Sequence, residues 1–498
     1  MRESRRSSTR ISSRFHTRSL FLRLLALVYL VAFASLAVQV TGLVGERGIL
    51  PVGEFLNQAR ASYGALAYYY VPTLLWFSPT NTILTLLCGS GIAASVLLLL
   101  GVAPVASAFV LWAFYLSLSI AGQAFLQFQW DSLLLETGLL AILYAPPVWR
   151  ARAATNVAPP AMVRWAVWAL AFKVTFLSGI TKIASGDPAW ASLQALRYHY
   201  ETQPLPMWTG WYMHQLPPAA QAWSAAGMFF IELVVPFAAL LPARWRRTRL
   251  TGCALMIALQ AGIAATGNYG FFNLLTIALY LALLDDQRSR DSVGQVPPSP
   301  VATRGGPAGW TLFANGAAVV ILILSTMTFF REIDLTWGRQ SALERLWSPR
   351  VLSWIAPFDS VNGYGLFRVM TTERPEIVIE VSEDGVAWKE QEFRWKPGNL
   401  SRRPAVAQPH MPRLDWQMWF AALDPISARE WLRPLLNRLL AGEPSVVQLL
   451  GPSPLRAPPK YARLALYQYH FTSRRERSES GAWWKRQLVG YLTDAVAR

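Results

Sequence analysis

Asp131, Glu136, Lys173 and Lys182 stand inside otherwise apolar runs, and Glu232 follows in FFIELVVPF. An ionised group at bilayer depth costs a few kcal/mol or more, so it is kept where it pairs, moves protons or holds a polar ligand. Glu136, Lys173 and Glu232 fall near the middle of their apolar runs, and Asp131 and Lys182 near the ends. The middle set reads as an intramembrane ion pair of Lys173 with either Glu136 or Glu232, locking helices together, or as a proton-handling site. Lys173 and Lys182 are nine residues apart, on roughly opposite helix faces, and so cannot share one set of partners.

A second polar layer gathers around Asp131 and Lys182. Gln129, Trp130, Asp187, Trp190, Tyr198, His199, Tyr200, Glu201, His214, Asn268, Tyr269 and Asn273 all map to the same ends of their spans. Convergence of titratable and aromatic groups is the pattern of a ligand or client vestibule. Trp and Tyr also populate membrane interfaces, and Lys snorkels, so an interfacial belt is the competing reading. The candidate catalytic groups in this layer are Lys182, Asp131 and Glu201. The five histidines (His16, His199, His214, His410 and His470) are scattered, and no metal site is expected.

These residues need apolar helices to position them. Hydrophobic residues make up 53% of the 498 and charged residues only 15%, with a mean hydropathy of +0.27, which is polytopic membrane composition. Runs able to cross about 30 Å of hydrocarbon are read near residues 20–43, 82–101, 104–121, 129–146, 164–184, 222–242, 250–267, 271–285 and 310–330. The third, fourth and eighth are the weakest. The chain should therefore be an α-helical bundle of about nine spans.

Charge orients it. With the N-terminus inside, the inner side receives the arm from Arg2 to Arg23, then Arg150, Arg152 and Arg164, then Arg244 to Arg249, and last Arg288, Arg290 and Arg304. Only Arg47, Arg60 and Arg197 fall in outer loops. The net charge of +17 is thus mainly a topology signal, and nucleic acid is not an expected partner. Residues 1–19 read as a basic cytoplasmic arm, 20–285 as the membrane domain, 286–309 as a Pro, Gly and Ser-rich cytoplasmic linker, and 331–498 as an extracytoplasmic domain. In a bacterium that domain would be periplasmic on an inner-membrane protein; in a eukaryote, lumenal in the endoplasmic reticulum.

Within the outer domain, GLFRVMTT, EIVIEVS and VAWKEQEFRW read as consecutive strands, the last two joined by a tight hairpin at Glu383-Asp384-Gly385. YARLALYQYHFT reads as a further strand. Pro425 and Pro434 should break the segment between into short amphipathic helices. The domain is expected to be β-rich with antiparallel pairing. Two cysteines, Cys88 and Cys253, both in spans, support no disulfide framework. G-x-S-x-G, the phosphate-binding G-x-x-x-x-G-K-[ST], H-E-x-x-H and C-x-x-C are all absent, which excludes a standard lipase or ATPase.

The strings FQWDSLLLETGLLAILYAP, SGITKIASGDPAW, YHYETQPLP, FFIELVVPF, TGNYGFFNLLTIAL, NGYGLFRVMTTERPEIVIE and RLDWQMWFAAL resemble the lipase maturation factor family, from the first span to about residue 472. The resemblance implies a polytopic membrane protein that assists folding and assembly of secreted lipases, with its soluble part lumenal, and it carries no catalytic residues or cofactor. A shorter similarity, Gly179, Lys182, Asp187 and Trp190, runs to the vitamin K-dependent carboxylases, in which the matching lysine acts as a base toward a quinol. The expected function is maturation of exported clients, lipases being the favoured class. The alternative is a membrane enzyme acting on a quinone-like or lipidic substrate, with Lys182 as base and Asp131 and Glu201 orienting it.

Overall fold

A computed structural model describes residues 16–151, 158–241, 243–284, 308–338 and 349–497. Most of the basic arm, Arg152, and the linker with Arg288, Arg290 and Arg304 lie outside the described residues.

Helices occur at all nine expected places: α1 (His16–Ala37), α2 (Asn81–Leu100), α3 (Pro104–Ala121), α4 (Gln129–Tyr144), α5 (Ala161–Ala184), α6 (Pro218–Leu233), α7 (Arg246–Thr266), α8 (Phe272–Ala282) and α9 (Ala308–Trp337). Six are long and apolar enough to cross a membrane: α1, α2, α3, α5, α7 and α9. The third, expected among the weakest, is thus one of the six. At 16 residues, α4 and α6 rise about 24 Å each, short of the hydrocarbon thickness, and α8 has only 11 residues. The ninth helix runs seven residues past the expected end of its span at 330.

Local chemistry sets these boundaries. Gly101 ends α2 in the left-handed region, at φ +72°, where its N–H reaches the carbonyls of the last turn, and Pro104 starts α3 at a position that needs no N–H. Two helices organise the bundle. α1 packs against α2, α8 and α4, and α5 against α9, α8, α6 and α4. A Cβ on Gly91 would lie 2.4 Å from the Phe33 ring, so only glycine allows α1 and α2 to approach this closely. Arg18, Arg150, Arg164 and Arg249 gather at one end of the bundle, where Arg18 donates to the Tyr144 carbonyl and Arg249 to that of Leu283.

The C-terminal domain caps the opposite end. Its antiparallel sheet has the order β2-β1-β3-β4, from β1 (Pro375–Ser382), β2 (Lys389–Gln391), β3 (Tyr461–Phe471) and β4 (Trp484–Tyr491), with β5 (Val496–Ala497) also paired to β3. The central register sets Val378 opposite Ala465. α10 (Arg413–Leu423) packs on β1 and on the outer loop Gln123–Leu126.

Several local expectations need correcting. GLFRVMTT forms no strand, because the N–H groups of Gly365 and Met370 are taken by Gln129 and Asp187 of the bundle instead of a sheet neighbour. Only three residues of VAWKEQEFRW pair with β1, since Trp395 and Lys396 donate instead to Asp415. The connection is not a tight hairpin: Val381 pairs with Lys389 across a loop held by Asp384, whose Oδ1 accepts the N–H groups of Val386 and Ala387. Pro425 does separate two helices, but Pro434 lies within α11 (Arg429–Leu440), where its missing N–H forfeits one bond of the ladder without ending the helix. β4 is an exposed edge strand without clean apolar alternation, and periodicity missed it.

Candidate functional site

The middle layer is built on Glu136. Its Oε1 accepts the Lys173 ammonium at 2.6 Å, and Lys173 also donates to Ser325 Oγ of α9 at 2.7 Å. Its Oε2 accepts the Tyr364 hydroxyl at 2.7 Å and the Asn362 N–H at 3.1 Å. Glu136 lies seven residues, about 10 Å, from the start of α4, so the 359–365 segment dips into the bundle to reach it. On the way Asp359 accepts from Ser132, and Ser360 Oγ accepts from Trp112. Glu332 packs close against this turn, since a Cβ on Gly363 would sit 2.4 Å from its side-chain oxygen.

Glu232 does not join Lys173. Both its oxygens accept from Lys182, at 2.9 and 2.8 Å, beneath the Trp190 ring. α6 begins above the bundle, packing on the short helix Ala195–Thr202 before it meets α5, so its C-terminal end, and Glu232 with it, comes level with Lys182. Lys182 is therefore a buried ion-pair partner, 5% exposed, and not a snorkelling side chain.

Asp131 is fully buried in the first turn of α4. Arg413 of the C-terminal domain grips it with both terminal nitrogens, and the Tyr115 hydroxyl donates to it at 2.5 Å. The α1 end adds to the same seam: Met411 N donates to Ser35 Oγ, and Arg413 N to Gln39 Oε1.

The remaining outer-layer residues serve the same junction. Asp187 caps the short helix Pro188–Ala191 with one oxygen and accepts Met370 N with the other, while Trp190 donates to the Phe367 carbonyl. Glu201 accepts Phe471 N at 2.6 Å and sits 3.0 Å from His470 Nδ1, with His214 at 3.8 Å. Asn268 donates to the Leu205 and Ala405 carbonyls and accepts from Ala407 and Gln408. The Tyr269 hydroxyl donates to Gln203 and lies 3.0 Å from His199 Nε2. Trp130 stacks on Phe128 and meets Trp416 edge-on. Tyr200 is buried, its carbonyl accepting from Gln203, and the buried amide of Asn273 has no partner among the described residues.

These residues therefore do not line an open vestibule, because the C-terminal domain fills the space they face. Burial, and then the Lys182 charge, push His199 down to about 4, so its ring is neutral near pH 7. Burial lowers His214 as well, against the pull of Glu201. Among the described residues no cluster of ligands could hold a metal.

Sequence reasoning missed the partners more than the sites. Arg413, Tyr115, Tyr364, Asn362 and Ser325 were not anticipated, nor was Arg374. The latter is fully buried and donates to the Glu201, Gln203 and Pro204 carbonyls and to Glu376, whose other oxygen lies 2.8 Å from Lys396. The available signal was arithmetic: a buried Asp131 demands a cation, and no cation near it in sequence is placed to supply one.

The family model described as the lipase maturation factor transmembrane domain matches residues 16–291, and that of the lipase maturation factor C-terminal domain matches 360–493. The chain is 36% identical to lipase maturation factor 2 of Homo sapiens, over 96% of its own length and 82% of that protein. It is 33% identical to lipase maturation factor 1 of Bos taurus, over 97% and 89%. No solved structure matches.

Proposed function

Because this chain belongs to the lipase maturation factor family, we propose that it is a membrane-embedded factor assisting the maturation of exported client proteins, lipases foremost. The observation that carries this reading is a likeness spanning both the bundle and the C-terminal domain. The geometry supports it, since the buried ion pair of Asp131 with Arg413 and the hydrogen bonds of Glu136, Asp187 and Asn268 weld the two parts and hold the soluble mass at one fixed place beside the membrane. The arginine-rich end of the bundle lies opposite that mass, which favours a C-terminal domain outside the cytoplasm: periplasmic in a bacterium, lumenal in the endoplasmic reticulum of a eukaryote. There it would meet clients as they fold.

The carboxylase-like alternative gains no support. The matches are to lipase maturation factors, and Lys182 is committed to both oxygens of Glu232. Deleting the gene and measuring secreted lipase activity against lipase protein tests the reading. The expected result is lipase of reduced specific activity, restored by the full chain; unchanged specific activity across every exported lipase would overturn it.

A further inference from the structure

On the side of the C-terminal domain, a groove of about 500 Å³ opens at the flank of the bundle, walled by Tyr68, Leu74, Phe77, Trp112, Ala113 and Phe358. Trp112 lies nine residues, about 13 Å, below the outer end of α3, so the groove reaches hydrocarbon depth. Its mouth faces sideways: Phe77 is 89% exposed, and the exposed Phe109 packs against Trp112 and continues the wall down the lipid-facing surface of α3. The lining offers few donors. Trp112 Nε1 donates to Ser360, Trp76 Nε1 to the Val71 carbonyl and Thr73 Oγ1 to the Ser117 carbonyl, which leaves the Ser117 hydroxyl, accepting from Leu74 N, and the Tyr68 hydroxyl, accepting from Arg60. A peptide placed there would leave most of its backbone unsatisfied at membrane depth, since two hydroxyls cannot serve it, whereas a hydrocarbon chain asks for nothing the groove lacks.

At the outer rim stands one cation. Arg60 lies 5.7 Å from the Tyr68 and Trp76 rings and donates to the Tyr68 hydroxyl, and among the described residues no carboxylate pairs with it. Its exposed guanidinium is suited to a phosphodiester oxygen. We propose that this groove is a phospholipid site: one acyl chain of a lipid from the leaflet on the C-terminal domain's side fills it, with the phosphate against Arg60. This goes beyond the client-maturation reading and stands or falls separately from it.

Full-length protein in nanodiscs holding phosphatidylglycerol with a photoreactive group in its acyl chain, followed by peptide mapping, tests the site. Labelling of residues 68–77 and 112–117 should exceed that of the exposed α9 surface around Ile323 and Phe330 by roughly fivefold or more, the preference that about 1 kcal/mol of extra burial gives. Ala113→Trp, filling the groove from the lipid side, should remove that excess while leaving α9 labelling and the gel-filtration profile unchanged. Should Ala113→Trp misfold, Phe77→Ala, which opens the mouth, decides by the same loss. Arg60→Glu should weaken labelling by phosphatidylglycerol but not by a diacylglycerol carrying the same chain. Equal labelling of groove and α9, no response to a folded groove variant, or recovery of a client peptide in place of the lipid would overturn the proposal.

Discussion

Arg413 and Asp131, 282 residues apart in the chain, meet as a two-pronged buried ion pair with nitrogen to oxygen distances of 2.5 and 2.8 Å. One comes from the soluble domain and the other from a membrane helix, so the pair fastens the two parts to each other.

Removing one member strands the other in a dry seam. Arg413→Ala should cost about 3 to 5 kcal/mol, and the double change Asp131→Leu with Arg413→Met should recover most of the loss, since an apolar pair needs no partner. Thermal unfolding in mild detergent, followed by tryptophan fluorescence, measures both. A single variant as stable as the parent would show that the pair does not hold the seam.

For the middle layer, Lys173→Ala should reduce the folded yield by leaving Glu136 with an uncompensated charge, again a penalty of about 3 to 5 kcal/mol. Adding Glu136→Gln should restore yield, whereas adding Glu232→Gln should not, because Glu232 belongs to Lys182. Equal rescue by the two would contradict the pairing.

Lys182→Arg keeps a cation facing Glu232 and should retain both folding and lipase maturation, whereas Lys182→Ala should lose stability. A catalytic base would behave otherwise, since guanidinium does not deprotonate at physiological pH. Two well-folded variants that both abolish lipase maturation would return Lys182 to consideration as a catalyst.

His199 provides a pH signature. Its folded value, about 4, lies below the ordinary 6.5, so the unfolded chain binds the extra proton first. Its contribution is present above pH 6.5 and is lost as pH falls from there toward 4. His199→Gln should flatten that part of the stability profile relative to the parent, and parallel profiles between pH 4 and 6.5 would show that His199 is not buried neutral.

The helices were legible because each is written locally, in an apolar run bounded by Gly, Pro or a charge. Asp131 and Lys173 were legible as buried charges for the same reason. Their partners were not equally so. Arg413, Tyr364 and Asn362 arrive from a separate domain, and nothing near Asp131 or Glu136 in sequence refers to them. Glu232 was placed at the wrong depth because counting along α6 assumes that the helix begins at the membrane surface, and tertiary packing on Ala195–Thr202 starts it higher. GLFRVMTT shows the same override: strand propensity was outbid by Gln129 and Asp187, which claim its N–H groups.

The descent of residues 359–365 to Glu136 also bears on the order in which the molecule can be made. Those residues leave the ribosome after all nine helices, and they must fold back onto the bundle before Tyr364 and Asn362 can reach the carboxylate. A newly inserted bundle therefore waits with Asp131 and Glu136 incompletely satisfied until its own last segment returns to close it. A chain truncated after α9 would carry those unmet charges permanently, and membrane quality control would have a physical feature by which to recognise it.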